Sequence, residues 1–182
     1  SNPPTRCYYC KKELFVKLKE IADKEGADAI FDGTNASDLS DHRPGLIAAK
    51  ENSVLSPLAH CGVKKEEVRE LAKFLNLSNW NKPQAACLAS RVPYFEKITM
   101  EKLEMISLAE DFLRNLGITQ VRVRCHDGKI ARIEIPKNDF SIILDFKSQI
   151  VEYFQKIGFN FVTLDLEGYV SGSMNKILSE KL

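Results

Sequence analysis

Cys7 and Cys10, in Arg6-Cys7-Tyr8-Tyr9-Cys10-Lys11-Lys12, have the clearest capacity for chemistry in this chain. Two thiols at that spacing can point at one soft metal or cluster, because a single turn brings both sulfurs within bonding reach. A pair does not complete a site. The natural third thiol lies far downstream, at Cys87 in Pro83-Gln84-Ala85-Ala86-Cys87-Leu88-Ala89-Ser90-Arg91. Three thiolates without a fourth leave an open position, and open positions do chemistry. Other readings stand beside this one. A structural zinc site should show a second close pair, and the sequence has none. A redox dithiol usually opens a helix after a strand, and this pair does precede a helical pattern. Cys87 can also be read as a small buried hydrophobe, although a Pro-bearing loop is an unusual setting for one. Cys61 and Cys125 are read as ordinary hydrophobes.

Two further groups could bind anions. Asp32-Gly33-Thr34-Asn35, with Asp38, Asp41 and Arg43, follows an apolar run at the point where open α/β sheets place ligands. Its side chains could hold a nucleotide, and they could equally be Asx-turn chemistry. Arg122 and Arg124 alternate with Val121 and Val123. Two guanidinium groups at that spacing can clamp a phosphate or carboxylate, or simply form the solvent face of a strand. Ser90-Arg91 and Ser171-Gly172-Ser173 are further polar runs. His42, His60 and His126 show no metal spacing.

The elements that must position these residues fall into two halves. Residues 11–25 read as a helix with Leu14, Phe15, Leu18, Ile21 and Ala22 on one face, ended by Gly26. Residues 29–31 read as an apolar strand, 46–51 as a short helix, and 64–75 as another with Val68, Leu71, Ala72 and Leu75 inward. Residues 76–93 are loop-rich and form the natural boundary. Beyond it, Thr99 caps a helix that runs to Leu116 and stops at Gly117. Residues 119–124 and 131–135 alternate as strands around an Asp127-Gly128 hairpin turn. A helix over 139–157 and a strand over 161–166 follow. The expected fold class is therefore α/β in the first half, then a small α+β domain of ferredoxin-like order. The expected domains are residues 1–80, a linker over 81–98 that carries Cys87, and residues 99–182.

The totals bound the function. With 182 residues, 44% hydrophobic and 28% charged, a packed core is expected. A net charge of +1 argues against a bulk nucleic-acid partner. No apolar run reaches membrane-spanning length, and no signal peptide is expected. Five Cys, an odd number, do not look like a secreted disulfide framework, and a reducing cytoplasm fits better. The opening Ser1-Asn2-Pro3-Pro4, without Met, suggests a trimmed chain.

Several stretches then occur in a fixed order: Arg6-Cys7-Tyr8-Tyr9-Cys10-Lys11, Asp32-Gly33-Thr34-Asn35, and Asp41 through Gly45. They are followed by Lys82-Pro83-x-Ala85-Ala86-Cys87-Leu88-Ala89-Ser90-Arg91, Val121-Arg122-Val123-Arg124, and Thr163-Leu164-Asp165-Leu166-Glu167-Gly168-Tyr169. Together they resemble the LarE family, the PP-loop sulfur transferases that make the nickel-pincer nucleotide cofactor of lactate racemase. Each motif is weak alone, and the series in register is specific. The resemblance implies ATP- and Mg2+-dependent adenylation of a carboxylate of pyridinium-3,5-biscarboxylic acid mononucleotide, then replacement of AMP by sulfur. One branch of the family sacrifices a single Cys. The other holds a 4Fe-4S cluster on three Cys, and this chain resembles that branch, with Cys7, Cys10 and Cys87 as ligands and catalytic residues. By the same resemblance Ser90, Arg122 and Arg124 hold the substrate phosphate and Glu110 is a further substrate-site carboxylate. Asp32, Gly33, Asn35, Asp41 and Arg43 lie near the nucleotide. The family also tends to form symmetric oligomers.

One departure is large. The family's Ser-Gly-Gly-x-Asp-Ser ATP signature belongs upstream of Arg6 and does not occur here. The first half thus reads as the rear of a PP-loop Rossmann-type domain whose N-terminal ATP-binding part is missing, and adenylation by this chain alone is not expected. The exposed apolar surface this leaves would favour self-association. Two rival readings are a PP-loop tRNA thiolase, which should be strongly basic, and a non-catalytic metal-binding assembly module.

Overall fold

The computed structural model describes residues 2–40, 43–82 and 86–176. They form an α/β protein divided into two compact units, one of Pro4–Lys82 and one of Ser1–Pro3 with Pro83–Leu182.

In the first unit, helix α1 (Arg6–Glu25) starts a turn earlier than the sequence pattern predicts, so Cys7 and Cys10 sit inside the helix. Cys-Tyr-Tyr-Cys has no strong helix propensity of its own, and packing supplies the difference. The Tyr8 hydroxyl donates to Glu51 at 2.7 Å, on α2 (Gly45–Glu51). Gly45 lets the two helices close up, since a Cβ there would stand 3.0 Å from Cγ of Lys11. Gly26 ends α1 in the left-handed conformation with φ 69°. The strand expected over residues 29–31 is reduced to one parallel bridge between Phe31 and Leu55. Helices α3 (Pro57–His60) and α4 (Lys65–Phe74) complete the unit.

The core of this unit is small: Phe15, Ala48, Ala49 and Val54 are buried, with Tyr8, Leu18 and Ile30 packed against them. Much of the expected inward surface is open. Leu14 and Ile21 on α1, and Leu71 and Leu75 around α4, are all exposed, as is Phe74.

In the second unit the long helix is α5 (Met100–Asn115), capped by Thr99, whose hydroxyl accepts from the Lys102 N–H at 3.2 Å. Strands β1 (Arg122–His126) and β2 (Ile130–Glu134) pair antiparallel across a turn with positive φ at both Asp127 and Gly128. The helix predicted over 139–157 is two helices, α6 (Phe140–Asp145) and α7 (Lys147–Lys156), broken at Phe146. Strand β3 (Phe161–Leu164) is shorter than predicted and pairs parallel to β2. The sheet runs β1-β2-β3. One face meets α5 and α7 through Val123, Cys125, Ala131, Ile133, Ile106, Leu113 and Phe154. Residues 86–98, expected to be a linker, belong to this unit, and Arg91 and Val92 are buried in it.

Gly168 carries the chain after β3 back over the sheet with φ 79°, and a Cβ there would lie 3.0 Å from the Ile135 carbonyl oxygen. Its neighbour Tyr169 donates its N–H to the same oxygen at 2.8 Å. Gly168→Ala is therefore expected to cost about 1–2 kcal/mol from the left-handed backbone alone, read as a lower urea midpoint. A variant as stable as wild type would show that this turn relaxes freely.

Candidate functional site

The first unit carries a cleft of about 240 Å³ lined by Cys7, Lys11, Asp32, Thr34, Arg43 and the start of α2. Cys7 and Cys10 lie at i and i+3 of α1, so they share a face of the helix. Both are free, exposed thiols. Soft donors so placed suit a thiophilic metal or cluster. Within neither unit do three His, Cys, Asp or Glu side chains converge among the described residues. Cys87, also free and exposed, belongs to the second unit.

In the cleft that Cys7 also lines, Asp32 accepts hydrogen bonds from the Thr34 N–H at 3.0 Å, the Thr34 hydroxyl at 2.8 Å and the Ser56 hydroxyl at 2.7 Å. This is the Asx-turn arrangement, and it fixes the Asp32-Gly33-Thr34-Asn35 run. Asp38 accepts the Asn35 N–H and pairs with Arg43 at 2.8 Å. Asn35 is buried, and its Oδ1 has no hydrogen-bond partner among the described residues. Asp41 lies outside the described residues.

Burial pushes the Asp32 carboxyl up, but the hydrogen bonds from Ser56 and Thr34, with the charge of Lys11, outweigh it and hold the group below the usual carboxylate range. A carboxyl depressed in the folded state stabilises the fold above its unfolded value, near about 3.9. That contribution fades as pH falls through the lower folded value. Asp32→Asn is thus expected to lose stability at neutral pH, with the gap to wild type narrowing below about pH 4. Urea unfolding at pH 7 and pH 3 checks this, and a gap independent of pH would assign the effect to shape alone.

In the second unit, the face of the sheet away from α5 is charged but not solvated. Arg122, Arg124, Arg132 and Glu134 share it, as the register Arg122↔Glu134 and Arg124↔Arg132 requires. Arg122 and Arg124 are only 7% and 6% exposed. The solvent-face reading of this Arg-x-Arg is therefore overturned, because residues 86–91 and 168–175 cover that side. Glu134, wholly buried, accepts from Nε and Nη2 of Arg124 at 3.0 and 2.7 Å and from the Ser173 hydroxyl at 2.8 Å. It also pairs with Arg132 at 3.1 Å, and Arg132 reaches Asp165 at 2.9 Å. Arg122 donates to the Val121 carbonyl, and its guanidinium lies 5.5 Å from the Tyr169 ring centroid. Burial and the charge of Arg91 push the Arg122 guanidinium down from its usual value.

Glu110 is also wholly buried. It takes Arg91 as a fork, Nε at 2.8 Å and Nη2 at 3.1 Å, and accepts from Arg114 at 2.7 Å and the Val123 N–H at 3.1 Å. The Ser90 hydroxyl donates to the Cys87 carbonyl at 2.7 Å. The structure thus gathers Cys87, Ser90, Glu110, Arg122 and Arg124 within the second unit, and Cys7, Cys10, Asp32, Gly33, Asn35 and Arg43 within the first. Sequence reasoning named Arg91 and Ser173 only as members of polar runs and gave Glu134 no role as their partner. The alternation of Arg132 with Glu134 signalled a polar face, but only the two covering segments bury it.

No family model matches the chain. The uncharacterized protein slr1717 of Synechocystis is 46% identical over 182 residues, covering 99% of this chain and 68% of that protein. The pyridinium-3,5-bisthiocarboxylic acid mononucleotide synthase of Lactiplantibacillus plantarum is 40% identical over 180 residues, 99% of this chain and 65% of the synthase. The uncharacterized protein MJ0830 of Methanocaldococcus jannaschii is 39% identical over 170 residues, 93% of this chain and 66% of that protein. The chain spans about two thirds of the length of each relative. Among the described residues, no helix is long and apolar enough to cross a membrane.

Proposed function

We propose that the chain, 40% identical to the synthase over nearly its whole length, is a member of the LarE family and the C-terminal portion of a sulfur transferase of nickel-pincer cofactor synthesis. Its substrate is pyridinium-3,5-biscarboxylic acid mononucleotide. A carboxylate is a poor electrophile. Adenylation by ATP with Mg2+ makes it a mixed anhydride and releases pyrophosphate, and a sulfur nucleophile then displaces AMP to leave a thiocarboxylate. We assign the adenylation to the part of the relatives that lies outside the matched two thirds. The first unit is, on this reading, the rear of the PP-loop domain.

The observation that carries the reading is the identity to the synthase along nearly the whole chain, with three free exposed thiols at Cys7, Cys10 and Cys87. A 4Fe-4S cluster held by those thiolates would supply an iron without a protein ligand, able to carry exogenous sulfide. The remaining roles fall to the chain's own side chains. Ser90, Arg122 and Arg124 bind the substrate phosphate in the second unit. Asp32, Gly33, Asn35 and Arg43 face the nucleotide in the first, a set to which the family resemblance adds Asp41, and the unsatisfied Asn35 oxygen offers an acceptor to a ligand donor.

Iron and acid-labile sulfide, measured after anaerobic reconstitution of wild type and Cys87→Ala, test this. About four irons per chain in wild type, lost in the variant, is the expected outcome. Zinc or empty thiols in both would sink the cluster assignment.

A further inference from the structure

The two buried carboxylates stand in the same relation to the Cys87 loop. Glu110 holds the Nε/Nη2 edge of Arg91, which leaves Nη1 to donate to the Ala86 carbonyl at 2.7 Å, the Cys87 carbonyl at 3.0 Å and the Ser90 hydroxyl at 3.0 Å. Glu134 holds the Nε/Nη2 edge of Arg124, which leaves Nη1 to donate to the Ser90 carbonyl at 3.0 Å. A guanidinium is planar and rigid, so fixing one edge fixes where the remaining nitrogen points. Buried ion pairs add little to stability that apolar side chains of similar size could not match. What they add here is direction.

We propose that Glu110 and Glu134 are positioning residues that aim Arg91 and Arg124 at the oxygens of residues 86–90, fixing the loop that presents the Cys87 thiol. The proposal rests on Cys87 being a working residue of the sulfur-transfer site. It gives Glu110 a role through Arg91 rather than in contact with substrate. With the Ala86, Cys87 and Ser90 carbonyls all turned onto guanidinium groups, the Cys87 thiol remains exposed on an anchored backbone.

The test joins peptide-resolved hydrogen exchange to iron loading. The paired substitution Arg91→Met with Glu110→Met removes both charges, which leaves no buried charge of that pair uncompensated. Peptides over residues 86–92 are expected to exchange about tenfold faster or more, because charged hydrogen bonds to the loop are gone. Peptides of β2 and α7 should keep wild-type rates, and reconstituted iron should fall. Arg91→Lys, which keeps the charge, should show the same loop-confined change, because one ammonium cannot fork onto Glu110 and reach the loop together.

An unchanged loop in both variants would overturn the proposal, as would acceleration of β2 and α7 along with the loop in both. So would full iron loading in a variant whose loop exchanges fast. A fast loop in the variants, with no iron even in wild type, would uphold the positioning role while removing the cluster reading.

Discussion

Glu134→Ala is expected to destabilise the second unit by about 3–5 kcal/mol, the largest effect of any substitution considered. Removing this carboxylate leaves Arg124 buried with no other carboxylate among its partners in the described residues, and takes an acceptor from Arg132 and from the Ser173 hydroxyl. A buried cation stripped of its partner keeps its desolvation cost and loses its attraction. Asp111→Ala is the control, since Asp111 is 61% exposed in its pair with Arg114. It should change stability by no more than about 0.5 kcal/mol. Both are read by denaturant unfolding followed through the tertiary signal. A Glu134→Ala cost below about 1 kcal/mol would mean that water reaches this face and that the pair is not buried in solution.

Arg122→Ala is expected to weaken binding of a nucleotide phosphate by about 1.5–3 kcal/mol, roughly 10–150-fold. Arg122 sits beside Arg124 on the covered face, with its guanidinium over Tyr169. Burial and the neighbouring cations Arg91 and Arg124 disfavour its charge, while Glu110 and Tyr169 favour it, with a net downward push. A phosphate arriving there would take a charge-assisted contact from the guanidinium, which is why the binding term should be sizeable. Titration calorimetry with a pyridine mononucleotide measures it. Equal affinity in wild type and variant would remove Arg122 from the site. Arg122→Lys should recover part of the loss, since it restores the charge without the fork.

Where the sequence carried a local code, it was legible. Thr99 announced α5, Asp127-Gly128 announced the hairpin, and the Val/Arg alternation announced β1 with the correct faces. The failures share a cause, which is dependence on partners distant in sequence. Residues 29–31 look like a strand, yet only Phe31 finds a ladder partner, in Leu55. The apolar stripe of α4 looks like a core face, yet Leu71 stays open to solvent. The break at Phe146 carries neither Gly nor Pro, so periodicity ran straight through it. At the site, residue types singled out the free thiols and the paired arginines, and the structure shows the former exposed and the latter buried. The environment of the arginines was illegible. Nothing in Arg122-Val123-Arg124 says that residues around Ser90 and Ser173 will cover it and that Glu134 will answer it.

Asn2 belongs to the second unit: its side-chain amide donates to the carbonyls of Val92 and Pro93, at 3.2 and 2.7 Å, and its own carbonyl accepts from Phe95. Residue 2 and residues 92–95 thus belong to one folding body, although Pro4–Lys82 lies between them in the chain. On the ribosome Pro4–Lys82 emerges before residues 92–95, and the second unit cannot close until those have followed. Synthesis order thus gives the thiols of Cys7 and Cys10 an interval of exposure before the loop of Cys87 exists. A pulse-labelled nascent chain stalled near residue 82 should alkylate at both positions.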